Sequence, residues 1–62
     1  GARWLGLAAR AACVRGDRLG TVRLLRRARS GGVGVRADLD FVAAHADDEL
    51  RRMLTRAGVQ LP

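Results

Sequence analysis

Cys13 and His45 are the chain's one cysteine and one histidine, and only they could pair a nucleophile with an imidazole base. Such a pair needs a third group to orient the base, and nothing in the sequence suggests one. Cys13 follows an alanine-bearing stretch and reads as a small buried hydrophobe. His45 alone cannot build a metal site; facing solvent or capping a carbonyl near a helix end suits it better. Asp47, Asp48 and Glu49 place three acids in succession, a pattern that invites a cation. Successive helix positions diverge by about 100°, so the three cannot converge on one ion and read instead as first-turn partners of the helix dipole. Gly32-Val33-Gly34-Val35-Arg36-Ala37 fits a loose G-x-G-x-x-A pattern. That fingerprint needs a strand before it and a parallel sheet around it. Here a helix precedes it, so the segment reads as a flexible loop. No Ser-His-Asp set or general acid–base pair can be assembled. The chain is expected to be no enzyme, with no catalytic, cofactor-binding or metal-binding residue.

What remains is ionic. Twelve basic residues, all Arg, oppose six acids for a net charge of +6. The surplus is uneven: residues 1–36 hold nine Arg against Asp17 alone, a balance of +8, whereas residues 37–62 hold three Arg against five acids, −2. A basic half joined to a mildly acidic one points to an acidic partner, whether a protein face, nucleic acid or an anionic membrane. Arg23, Arg26, Arg27 and Arg29 follow one another along a single predicted helix. Their guanidinium forks suit carboxylates and phosphates, though a merely solvated face would look the same. Trp4 either anchors a partner, as Trp does at binding hot spots, or packs across the ends of the first two helices. These five residues form the candidate partner-binding set. Trp4 and Phe41 are the only aromatics, which leaves few platforms for stacking bases.

The elements that must position these groups are short helices. A segment from Ala2 to about Arg15 carries Trp4, Leu5, Ala8, Ala9, Ala12 and Cys13 on one face of a 3.6-residue period. Gly16 stops it and Asp17 is placed to cap the next. From Arg18 to about Arg29, Leu19, Val22, Leu25 and Ala28 make a second stripe, with Leu24 on its flank. A two-residue link permits only an antiparallel return, hence an αα-hairpin. Ser30 to Arg36, rich in Gly, is a loop or an extended finger. Asp38 is expected to cap a third helix and Asp47 a fourth, broken near His45-Ala46 or running as one. Leu50, Met53, Leu54 and Ala57 lie at i, i+3, i+4, i+7, and Gly58 closes the last helix. The tail should be extended.

The halves, about 2–36 and 37–62, share this plan. Ala12 answers Ala43 at an offset of 31, and Leu24-Leu25 answers Met53-Leu54 at 29. Each half has a small-residue helix, an acidic turn, a Leu-rich helix and a Gly-containing exit. In Ala12-Cys13-Val14-Arg15-Gly16-Asp17, Thr21-Val22-Arg23-Leu24-Leu25 and Met53-Leu54-Thr55-Arg56-Ala57-Gly58-Val59 the chain resembles the ankyrin repeat. The Trp4-Leu5 opening resembles the N-terminal capping repeat of ankyrin-type inhibitors of cyclin-dependent kinases. The family's Thr-Pro-Leu-His opening is missing from both halves, and Asp38 is the substitute available in the second. The resemblance implies ankyrin-like stacking, a degenerate two-repeat unit or a capping fragment, and binding of protein partners.

Residues 1–62 are therefore expected to form one all-α domain: two antiparallel helical hairpins with a Gly-rich connecting loop. Its function would be that of an adaptor binding an acidic or helical protein, or associating with itself through the stripe of the fourth helix. The alternative is a small basic helical domain contacting nucleic-acid phosphates. A groove-reading helix at residues 38–46 would carry two acids and no Arg, which suits DNA poorly. No apolar run approaches 20 residues and no secretory signal pattern occurs, so no membrane span is expected. One unpaired Cys favours cytoplasm or nucleus.

Overall fold

Four helices, α1 (Ala2–Arg15), α2 (Arg18–Ser30), α3 (Arg36–His45) and α4 (Asp48–Arg56), build the chain in a computed structural model that describes residues 2–31 and 34–62. No strand occurs among the described residues, and the expected all-α class holds. In the Gly-rich connection, Gly32 and Val33 lie outside the described residues, and with them part of the G-x-G-x-x-A segment.

Local chemistry explains most helix ends. The Asp17 carboxylate accepts from the Gly20 N–H at 2.9 Å, and the Asp47 carboxylate accepts from the Leu50 N–H at 2.8 Å. Each satisfies a first-turn donor that the helix cannot satisfy itself. At the end of α1, Gly16 has φ 80° and lets the Asp17 N–H return to the Ala12 carbonyl at 2.9 Å. Gly58, at φ 79°, does the same after α4, where the Val59 N–H reaches the Leu54 carbonyl at 2.8 Å. This αL closure satisfies orphan carbonyls and is strained for any residue with a Cβ. It also folds Val59 back onto the core beside Leu54, both buried, so the tail is extended but held.

Asp38 is not the cap expected for α3. That helix begins at Arg36 with Val35 in the N-cap position and no side-chain cap bond. Asp38 lies in the first turn, where a carboxylate still favours the dipole, but its oxygen is drawn away to Arg10. Between α3 and α4 the chain breaks: Ala46 and Asp47 are extended, with ψ 137° and 176°.

In packing, α1 lies along α2, α3 rests against α1 and α4 against α2. Joined through Ala46-Asp47, α3 and α4 rest chiefly on the first pair rather than on each other. The core gathers Ala9 and Cys13 from α1, Val22 and Leu25 from α2, Val42 from α3, and Leu50 and Leu54 from α4. Fully burying one such Leu stabilises by roughly 1.5–3 kcal/mol. Two expected core members stay outside: Trp4 is 69% exposed and Leu19 50%. The inward face of α1 is Gly6, Ala9, Ala12 and Cys13, all buried. Helices this close have no room for an indole. Gly6 shows the limit, since a Cβ there would stand 2.2 Å from an Asp38 carboxylate oxygen. In α2 the buried set is Thr21, Val22, Leu25 and Ala28. Thr21 is kept satisfied by donating its hydroxyl to the Asp17 carbonyl at 2.8 Å, and with the buried stripe centred on these four positions Leu19 falls on the solvent side.

Candidate interaction surface

A groove of about 800 Å³ runs beside α2. Leu5, Gly20 and Leu24 form its apolar floor, and Arg23, Arg26 and Arg27 its rim. On α2 the floor and rim follow helical spacing: Gly20, then Arg23 and Leu24, then Arg27 recur at i, i+3, i+4, i+7. Leu25 points into the core, so Leu24, one position back, is turned toward this outer side.

The structure divides the predicted site residues into two groups. Arg23, Arg26 and Arg27 are exposed, and among the described residues none has a carboxylate within ion-pair distance. Arg29 is used internally: its Nη1 donates to the Gly58 carbonyl at 2.8 Å, tying α2 to the end of α4. Trp4 lies exposed near the start of α1 and does not pack across the helix ends. Leu5, Gly20 and Leu24 were not among the expected binding residues. The signal that marks them is the apolar flank beside the buried stripe, with a small residue one turn before Leu24.

Two other arginines pair with acids across the halves. Arg10 Nε donates to Asp38 Oδ1 at 2.5 Å, with Asp38 only 13% exposed, and its guanidinium stands 5.4 Å from the Phe41 ring centroid. Arg18 engages both Asp47 oxygens, Nε at 3.2 and 3.1 Å and Nη2 at 2.5 Å. The Asp47 carboxyl is consequently lowered to about 2, first by the Arg18 hydrogen bond and then by the Leu50 N–H. Glu49 bonds Arg52 at 2.7 Å, which holds its carboxyl below the ordinary range. Asp47 and Glu49 are thus drawn to different cations. Among the described residues no three His, Cys, Asp or Glu side chains gather as a metal site.

Cys13 and His45 do border one small hollow of about 60 Å³, with Arg18, Asp47 and Leu50. Burial, with the Asp47 charge second, raises the thiol pKa, which disfavours the thiolate a nucleophile requires. The His45 Nδ1 lies 2.8 Å from the Phe41 carbonyl, and its ring stacks on Phe41 at 4.2 Å. Both groups are therefore engaged in packing rather than in each other's activation.

No described helix is long and apolar enough to cross a membrane. Comparison of the chain with protein-family models, curated proteins and solved structures finds no match.

Proposed function

We propose that the chain is a protein–protein interaction module whose basic α2 face engages an acidic protein partner. The observation that carries this reading is the trio Arg23, Arg26 and Arg27: three exposed guanidiniums without carboxylate partners around an apolar floor. Among the described residues five other Arg pair with acids, and of those that do not, Arg23, Arg26 and Arg27 are the three that line one groove. An apolar floor favours a folded or helical protein ligand over a phosphate backbone, which offers nothing for Leu5 and Leu24 to cover.

The ankyrin-like reading belongs to the same proposal. It is supported by the way α3 follows α1 and α4 follows α2, and by three cross-half contacts at nearly one spacing. Arg10 to Asp38 spans 28 residues, and Arg18 to Asp47 and Arg29 to Gly58 each span 29.

Titration of the isotope-labelled chain with poly-glutamate, and separately with duplex DNA, at physiological salt tests the reading. Poly-glutamate should perturb the amides of Arg23, Leu24, Arg26 and Arg27, and the Arg23→Glu, Arg26→Glu, Arg27→Glu variant should lose the response. A silent α2 face ends the proposal. Preferential binding of the duplex, falling steeply with salt, would replace it with the nucleic-acid reading.

A further inference from the structure

The helix α1 is built inside out by size. Toward the core it presents Gly6, Ala9, Ala12 and Cys13, all buried, while its bulkier residues Trp4, Leu7 and Val14 are 69%, 60% and 67% exposed. With Ala11, also exposed, these residues recur at i, i+3, i+7, i+10. That is the alternating three–four spacing with which one helix meets another along a continuous seam. A helix needs only one apolar stripe to join its own core, and α1 already has that stripe on the opposite side. Three large apolar side chains in one exposed line form a patch rather than the scattered singles of an ordinary surface.

Charge decides what covers it. On a helical projection Arg15 lies along one edge of the seam and Arg3 and Arg10 along the other, and α1 contains no acidic residue. Arg3 and Arg15 are exposed, although Arg15 Nη2 has Asp17 Oδ2 at 3.7 Å just beyond the helix; Arg10, half-buried, is already held by Asp38. A second copy docking α1 against α1 would set like charges edge to edge. We infer that the outer face of α1 is a docking seam for an amphipathic helix of another protein, with apolar residues at three–four spacing and Asp or Glu at its flanks. This surface is separate from the arginine rim of α2, and the two stand or fall independently.

The test uses the full 62-residue chain and a synthetic peptide of a few heptads, Leu at its seam positions and Glu at its flanks. Two control peptides accompany it: one of the same composition with the Leu order scrambled, and one with Lys at the flanks. Expected are a blue shift of Trp4 emission and amide shifts at Leu7, Ala11 and Val14 with the Glu-flanked peptide. Leu7→Gln with Val14→Gln should weaken binding at least tenfold while leaving the thermal melt in place, since both residues are exposed. The Arg23→Glu, Arg26→Glu, Arg27→Glu variant should still bind, with Leu7, Ala11 and Val14 responding as before. Equal binding of the scrambled peptide would overturn the seam, and equal binding of the Lys-flanked peptide the acidic occupant. Self-association of the chain alone, removed by the Leu7/Val14 variant, would overturn the choice of a foreign helix. No response at α1 to any peptide would overturn the inference and leave the α2 proposal standing.

Discussion

Replacing Gly6 by Ala should destabilise the protein, although Ala is the better helix former. In a helix interior the exchange is worth about 1 kcal/mol in favour of Ala. At Gly6 the added Cβ would lie 2.2 Å from Asp38 Oδ2 and 2.7 Å from its Cγ. A carboxylate at the end of a side chain can swing aside, but this one is committed to Arg10 at 2.5 Å and is 13% exposed. Losing a charge-assisted hydrogen bond of this kind costs about 1.5–3 kcal/mol. The net loss is therefore about 0.5–2 kcal/mol, and each 1 kcal/mol moves the melting temperature of a chain this small by about 4–8 °C. The discriminating measurement is a double-mutant cycle with Asp38→Ala, read by urea and thermal melts. In the Asp38→Ala background the obstruction is gone, and Gly6→Ala should become stabilising by about 1 kcal/mol, a reversal of sign. If Gly6→Ala raises stability equally in both backgrounds, the close approach of α1 and α3 at this point is wrong.

Two further outcomes test the rest of the frame. Because the Asp47 carboxyl titrates at about 2 in the folded chain, below its ordinary range near 3.8, its contribution is complete above that range and drains away as pH falls toward 2. Asp47→Asn keeps a capping side chain but not the charge, so the acid limb of a stability–pH profile should become shallower; a carbon-detected Asp47 midpoint at or above 3.8 would refute the Arg18 contact. Leu25→Ala should cost about 2–5 kcal/mol, a large share of the roughly 3–9 kcal/mol such a chain possesses, whereas Leu19→Ala should stay within about 0.5 kcal/mol. Urea denaturation followed by circular dichroism checks both, and similar losses at the two sites would contradict the burial pattern.

What the sequence makes legible here follows the range of the interaction. Asp17, Asp47, Gly16 and Gly58 act within one turn of their own positions, so residue type and spacing suffice to place them. Asp38 shows where local logic stops. An acid near a helix start serves equally as a cap or as a first-turn dipole partner, and the decision came from Arg10, 28 residues away. Trp4 fails for another reason: periodicity counts apolar residues but not their volume. The face of α1 that enters the core had to be the one with Gly6 and the alanines, because two other helices press against that rod. The floor of the α2 groove was half visible, since a Leu-Leu pair cannot turn both members inward. One flank had to remain, and Leu24 is that flank.

The allocation of charge ties the fold to the proposed surfaces. Three arginines of the basic half, Arg10, Arg18 and Arg29, reach the other half at Asp38, Asp47 and the Gly58 carbonyl. Part of the lopsided sequence is thus explained by cohesion. The choice of Arg over Lys matters at Arg18, because a planar fork can hold both oxygens of a carboxylate that is already capping α4, and a point charge cannot do so with the same geometry. The cohesive arginines leave Asp38 and Asp47 with nothing to offer Arg23, Arg26 and Arg27, and Glu49 is held by Arg52. Self-compensation within the chain is therefore largely spent before the α2 rim is reached. The two proposed surfaces, the rim of α2 and the seam of α1, thus name one chemistry for their partners: carboxylates set beside an apolar stripe. An acidic amphipathic helix answers both demands, whereas a phosphate backbone answers only the first.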